Sequence, residues 1–275
     1  LLDFVCFLLF FYCNLFQVLP LLLLIVLIVI GVILGIGYYK KITENKQNPI
    51  VTMNIKDYGT IKIELYPEMA PNTVANFIKL AQNGYYNGLT FHRVVQDFMI
   101  QGGDKKGDGT GTVTLKDLYP EGESEDEYCI EGEFVANNYT NNTLKFERGV
   151  IAMARGDYTS LSTALRTESY NSAGAQFFIM VKDTPRINGL YAAFGRVTEG
   201  MDIVDQIVAL ETVVETDEET GETTETDMPV NKPVIESVTL ETFGKDYGNP
   251  ETLEPFDYMS YLMSLYSGSL NTSEE

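Results

Sequence analysis

The sequence has no tryptophan and only one histidine, His92, among 275 residues. A lone histidine excludes a metal centre built from histidines alone. Three cysteines, Cys6, Cys13 and Cys129, provide neither a disulfide framework nor zinc-ligand spacing. Two of them sit in the apolar N-terminus, so Cys129 has no second cysteine in the rest of the chain, and the redox compartment is not legible from thiols. Positive charge is scarce too: 19 Lys and Arg face 39 Asp and Glu, a formal net charge of −20. That balance argues against nucleic-acid binding, which calls for a basic patch. The surplus acid reads as a solvated surface.

What is present begins with an apolar run over residues 1–39. Leu21 to Tyr39 carries no charge and, as a helix, would span about 28 Å, close to the hydrocarbon thickness of a bilayer. It has no polar face, as a core helix would, and Lys40 and Lys41 end it. The expectation is a hydrophobic N-terminus (1–41) holding a single-pass membrane anchor over 21–39. Leu1 to Phe16 is apolar as well, though Asp3 and Asn14 interrupt it and Gln17 and Pro20 follow. It reads as a second span, a signal-like region or upstream sequence, and the chain starts with Leu rather than Met. The positive-inside rule puts Lys40, Lys41 and Lys46 in the cytoplasm, unless basic residues precede Leu1. Residues 42–49 form a polar linker.

Two alternating strands follow, Ile50–Ile55 and Thr60–Leu65, around a turn at residues 56–59. Pro67 and Pro71 stop them. A helix from Asn72 to about Asn83 puts Val74, Phe77, Ile78 and Ala81 on one face. The centre of the domain is residues 91–104, FHRVVQDFMIQGGD. It reads as two short strands joined at Gln96-Asp97. Period-2 alternation puts Phe91, Arg93 and Val95 on one side, and Met99 and Gln101 on one side of the second strand, with Phe98 at the turn. An arginine among apolar neighbours with no carboxylate beside it is unusual. One cationic fork and one amide beside flexible hydrophobes suit an apolar ligand carrying a carbonyl or amide; the bland alternative is a snorkelling arginine.

The glycine-rich stretch after Asp104 fails two functional tests. After Gly107 and Gly109 the third dinucleotide-loop position is Thr112. An EF-hand loop starting at Asp104 would put Lys106 and Leu115 at ligand positions. Further on, Gly149–Ala154, Gly174–Met180, Ala192–Val197 and Val234–Thr242 read as strands, and Glu199 to about Leu210 as a helix. A long Ser/Thr-rich loop spans 155–173. Residues 211–228 hold eight acids, six threonines and no base and read as an exposed, mobile insertion. The tail, 244–275, has an apolar stripe (Met259, Leu262, Met263, Leu265, Tyr266), read as a helix docked on the domain or on a partner.

F-H-R-V-V-x-x-F-M-I-Q-G-G-D closely resembles the central motif of the cyclophilins, the peptidyl-prolyl cis/trans isomerases. G-V-I-A-M-A, A-Q-F-F-I-M and A-A-F-G-R-V-x-E-G-M-D-I-V follow in cyclophilin order, so the resemblance covers residues 50–243. It implies a mainly β fold, a closed eight-stranded antiparallel barrel capped by two helices, here preceded by a transmembrane helix. It also implies catalysis without cofactor or metal on proline-containing polypeptides. By position, Arg93 is similar to the family's catalytic arginine. Phe98, Met99, Phe178 and Ile187 correspond to the walls of the proline pocket. Gln101 corresponds to the residue that contacts peptide and steadies the arginine, Ala154, Arg155 and Gln176 to the binders of the substrate backbone, and Gly109 to the adjoining wall.

Three departures stand at the rim. Arg155 replaces the usual asparagine, Arg186 replaces a tryptophan used in cyclosporin binding, and Tyr191 stands where many relatives have histidine. Bacterial cyclophilins with such an anchor usually face outward, so the resemblance implies an extracytoplasmic isomerase assisting protein folding. The alternative is a non-catalytic proline-peptide-binding or scaffold domain at the membrane.

Overall fold

A computed structural model describes residues 23–36, 47–122, 124–217 and 221–271. The chain divides into two compact units, Leu1–Gln47 and Asn48–Glu275. In the first, residues 23–36 form a helix, α1, whose side chains are all exposed. Of the expected span over 21–39 only residues 23–36 are described, and among the described residues no helix is long and apolar enough to cross a membrane. Leu21, Leu22 and residues 37–39 lie outside the described residues, as do Cys6 and Cys13.

The second unit starts with β1 (Ile50–Ile55) and β2 (Gly59–Leu65), paired antiparallel. Alternation sends Val51, Met53, Ile61, Ile63 and Leu65 into the core, all wholly buried. Helix α2 (Pro71–Gln82) has proline in its first turn and no cap from the residue before it. Its open N–H groups are met from a distant loop. Glu133 accepts from Asn72 N (3.0 Å), Thr73 N (2.7 Å) and Thr73 Oγ1 (2.6 Å). A carboxylate there satisfies orphan donors and faces the positive end of the helix dipole.

The remaining strands are β3 (Thr90–Val95), β4 (Met99–Asp104), β5 (Val150–Met153), β6 (Phe177–Met180), β7 (Ala193–Glu199) and, after the hairpin β8 (Thr212–Thr216) and β9 (Thr223–Pro229), β10 (Ile235–Glu241). Short helices α3 (Leu115–Leu118) and α4 (Arg166–Tyr170) lie in loops, and α5 (Met201–Val208) packs against β2, β3 and β4. One antiparallel sheet runs β10-β1-β2-β7-β5-β6-β4-β3. The expected closed barrel is corrected: the sheet is curled but open between β10 and β3. They meet through one isolated bridge, Thr90–Val234, and bonds such as Phe91 N to Pro233 O (3.0 Å). Pro233 has no N–H to return, so a ladder cannot start there.

The curled sheet has two apolar faces. One holds the main core with α2 and α5, where Phe77 stacks on Tyr86 (4.8 Å) and meets Phe177 edge-on (5.9 Å). On the other, Met99, Phe146, Ala152, Phe178 and Met180 form a smaller cluster with Val95, Phe98, Ala154, Ile187 and Tyr191 at its edge.

Two further expectations are corrected. The acidic insertion folds as the two-stranded sheet β8–β9, because its β-branched arms, Thr/Val-rich before Gly221 and Thr-rich after it, pair across the turn. The tail forms α6 (Tyr258–Asn271), but Met259, Met263 and Leu265 are exposed. Docking on this unit runs through the segment before it and its first residue: Leu253 and Cys129 exchange backbone hydrogen bonds (2.8 and 3.0 Å), and Tyr158 packs on Phe256 and Tyr258. The loop 155–173 is three short helical turns tied down by the wholly buried Ser169.

Candidate active site

The site grows from the β3–β4 hairpin. Asp97 makes its turn with a left-handed φ of 57°, which Asp tolerates through local bonding. Plain alternation does not hold along β3. The register shifts between Phe91 and Arg93, which pair with the adjacent Gly102 and Gln101. Such a bulge re-aims side chains: Phe91 is wholly buried against Phe177, whereas Arg93 and Val95 turn to the other face. Phe91 and Arg93 therefore do not share a side. Met99 and Gln101 do, on the groove side of β4.

That side bears a cavity of about 460 Å³, whose wall includes Arg93, Phe98, Met99, Gln101, Gly109, Ala154, Arg155, Phe178 and Tyr191. Ring planes define its floor. Phe178 lies parallel to Phe146 (6.0 Å) and meets Tyr191 edge-on (5.4 Å). Ile187 packs into the same apolar cluster without reaching the cavity surface. A second lobe of about 350 Å³ shares Gln101, Gly109, Ala154 and Arg155 with the first and adds Gln176.

A chain of side-chain bonds crosses between the lobes. Arg93 Nη1 donates to Gln101 Oε1 (3.3 Å), and Gln101 Nε2 to Gln176 Oε1 (2.9 Å). Gln176 Nε2 donates to the carbonyls of Gly109 (3.0 Å) and Gly111 (3.3 Å). The other end of that loop is fixed by Asp104 Oδ2, which accepts from Asp108 N (2.9 Å) and Gly109 N (2.8 Å). Bonds from Thr110 hold the Asp108 carboxyl below its ordinary pKa. His92, buried beside the cavity, has its pKa lowered by desolvation, so its ring stays neutral near pH 7.

Arg155, which lines both lobes, has its guanidinium engaged by neighbouring protein groups. It lies over the rings of Tyr191 (4.6 Å), Tyr170 (4.9 Å) and Phe134 (5.8 Å). It donates to Leu190 O (3.2 Å), Gly156 O (3.1 Å) and Ser169 Oγ (2.9 Å). Arg186 sits over Phe98 at 5.6 Å. Both rim arginines thus stack on aromatic rings.

Sequence reading missed Thr226, Asp227 and Met228 of β9, which also line the cavity. Asp227 Oδ2 accepts from Arg93 Nε (2.9 Å) and lies 2.8 Å from Nη2 as an ion pair, so the arginine does have a carboxylate beside it. The available signal was the Thr/Val-rich run before Gly221 and the Thr-rich run after it. Pro255 and Phe256 of the tail line the second lobe and were missed as well. Among the described residues no cluster of three or more His, Cys, Asp or Glu is placed to hold a metal ion.

A guanidinium with donor capacity, an amide and a ring-sized apolar floor can grip a peptide carbonyl while burying a cyclic side chain. The family model for cyclophilin type peptidyl-prolyl cis-trans isomerases matches residues 50–240. Peptidyl-prolyl cis-trans isomerase B of Bacillus subtilis is 38% identical over 148 residues, covering 54% of this chain and 82% of that protein. Peptidyl-prolyl cis-trans isomerase-like 1 of Rhizopus delemar is 36% identical over 154 residues, covering 56% and 77%. Among solved structures, a Cryptosporidium parvum cyclophilin type peptidyl-prolyl cis-trans isomerase, crystallised in the presence of the dipeptide Ala-Pro, aligns with TM-score 0.51 and 26% identity. It covers 70% of this chain and 99% of that one.

Proposed function

The chain belongs to the cyclophilin type peptidyl-prolyl cis-trans isomerases, and we propose that it turns over X-Pro bonds in polypeptides by an arginine-assisted, non-covalent mechanism centred on Arg93. The uncatalysed bond is slow because twisting it breaks amide resonance, at a cost of about 20 kcal/mol. In the twisted state the nitrogen regains a lone pair. A guanidinium donor beside it, or on the adjoining carbonyl, favours that state over the planar one, which is differential binding. The floor of Phe98, Met99 and Phe178 would hold the proline ring, and Gln101 would keep the guanidinium plane in place. Gln176, Gly109 and the backbone at Ala154 and Arg155 would bind the flanking peptide, with Tyr191 at the rim and Ile187 packed behind. The dipeptide named for the Cryptosporidium structure is consistent with this substrate class.

The observation that carries the proposal is the position of Arg93 at the apolar cavity, bonded to Gln101. In a protease-coupled proline-peptide assay, Arg93→Ala should lose most of the catalysed rate. Equal rates for variant and parent would refute the mechanism. One observation favours the non-catalytic, proline-peptide-binding alternative: Asp227 and Gln101 already engage the arginine. Under that reading proline peptides bind without faster cis/trans exchange by NMR.

We also propose that residues 21–39 anchor the chain at a cell membrane with the isomerase unit extracytoplasmic. Support is the uncharged run itself, of which 23–36 is helical. Cys129 cannot report sidedness, being buried with a thiol pushed up to about 11. Exposed Lys56 replaced by cysteine and treated with an impermeant maleimide on intact cells serves instead; labelling only after lysis would reverse the orientation.

A further inference from the structure

We propose that Asp227, on the β8–β9 hairpin, is a positioning residue for Arg93 in the isomerase reaction, so that the acidic insertion forms a working wall of the active site.

Three features of the hairpin point to this. First, its register brings Asp227 out. Thr212 pairs with Pro229 and Val214 with Glu225, leaving Thr226, Asp227 and Met228 opposite Val213 alone. The bulge is held by Thr226 Oγ1 donating to Val213 O (2.9 Å) and by Met228 N donating to Thr226 Oγ1 (3.3 Å). Bulges of this kind re-aim side chains beside active sites. Second, the base of the hairpin is anchored, Val230 N donating to Glu211 O (2.9 Å), and β9 lies against β3, the strand that carries Arg93. Third, the contact has a defined form. One oxygen of Asp227 accepts from Nε and pairs with Nη2 at 2.8 Å, while Gln101 takes Nη1. A guanidinium has five N–H donors; these contacts leave donors on both terminal nitrogens for substrate.

The pair does little for folding. Its side chains are 43% and 47% exposed, and ion pairs that wet contribute little to stability. What it does restrict is rotation. An arginine side chain has large rotamer freedom, and Arg93 is here held from two sides in one plane. Catalysis needs that plane to face the twisting amide, and misplacement by 1 Å can cost roughly 100-fold.

The role rests on Arg93 being the catalytic group, so the test separates the two. With the full chain, kcat and KM are measured for Asp227→Ala, Asp227→Asn, Asp227→Glu, Arg93→Ala and the double variant Arg93→Ala/Asp227→Ala. Asp227→Ala should lower kcat about 10-fold with KM within about twofold. Asp227→Glu should restore part of the loss, and Asp227→Ala should add nothing once Arg93 is gone. The Arg93 Nε–H resonance, assigned by its absence in Arg93→Ala, should broaden or shift towards solvent-exposed values in Asp227→Ala. An unchanged or raised kcat in Asp227→Ala, with Arg93→Ala inactive, overturns the positioning role alone; a raised kcat would mark the hairpin as an inhibitory clamp. Full activity in Arg93→Ala overturns the arginine mechanism and this role with it.

Discussion

Replacing Arg155 by alanine separates its side chain from its backbone. The residue stands where the resemblance implies contact with the substrate backbone, yet its guanidinium is already engaged by protein groups. Three rings surround it at 4.6, 4.9 and 5.8 Å, and it bonds to Leu190 O, Gly156 O and Ser169 Oγ. A partly desolvated cation–π contact contributes about 1 kcal/mol, and the two nearer rings count most. Each hydrogen bond from a charged group contributes roughly 1.5–3 kcal/mol, offset by the cost of withdrawing the guanidinium from water. Gly156 O keeps its bond from Ser169 Oγ (2.7 Å), which softens the loss. The net expectation is a destabilisation of about 2–4 kcal/mol by these terms, or on the order of 10 °C in melting temperature for a unit of this size. Arg155→Lys should recover little, since an ammonium cannot stack and fork at once. Below the melting transition, kcat/KM on proline peptides should stay within about threefold of the parent, because the backbone at 154–156 remains. Denaturant or thermal unfolding measures the first effect and the coupled assay the second. An unchanged melting temperature with a large shift in substrate preference would refute the reasoning, because it would put the side chain on the substrate.

Two more outcomes follow from buried groups. Glu133→Ala should destabilise by about 1–3 kcal/mol, leaving the N–H groups of Asn72 and Thr73 without their acceptor. The Glu133 carboxyl is raised from 4.5, burial outweighing its bonds from Thr73 and Asn72. The folded chain thus keeps a proton that the unfolded chain releases, and this contribution, present below pH 4.5, is lost as pH rises through the folded value. Unfolding curves across that window should slope in the parent and flatten in Glu133→Ala; matching slopes would refute the assignment. For Cys129, burial pushes the thiol up to about 11, so at pH 8 roughly one thiol in a thousand is ionised. In a Cys6→Ser/Cys13→Ser chain, an aromatic disulfide reagent should react at least about 100-fold more slowly than with a free thiol. Removing residues 249–275, and with them the Leu253 bridge, should restore much of the rate; fast reaction in the intact chain would contradict the burial.

Most of the sheet was legible because its strands obey local rules. Val51, Met53, Ile61 and Ile63 alternate, and Val74, Phe77, Ile78 and Ala81 share a helical face, so period alone finds them. Arg93, Met99, Gln101 and Phe178 came through an ordered motif, and they meet around one cavity. What escaped was decided by contacts distant in sequence. The bulge that parts Phe91 from Arg93 depends on β4 across the ladder. Closure of the barrel depends on whether β10 can pair with β3, which Pro233 limits. The direction of Arg155 is set by Tyr170 and Tyr191, 15 and 36 positions on.

Asp227 was hidden for a different reason. Composition ranks residues 211–228 as acid-rich and solvated, and acid content is a property of the average. Strand pairing depends on order: the arm 212–216 is rich in Thr and Val and the arm 223–229 in Thr, whose branched side chains suit a pleated strand. Once the arms pair, the acids acquire individual addresses, and one of them lies 134 positions from Arg93 in sequence but 2.8 Å away in space. The same surplus of negative charge that argues against a nucleic-acid groove therefore places one carboxylate on the cation at the centre of the site. Charge at this position acts through geometry, by holding a plane, and adds little to affinity or folding. A charge-neutral substitution that keeps the acceptor, Asp227→Asn, should on this reasoning retain more activity than Asp227→Ala.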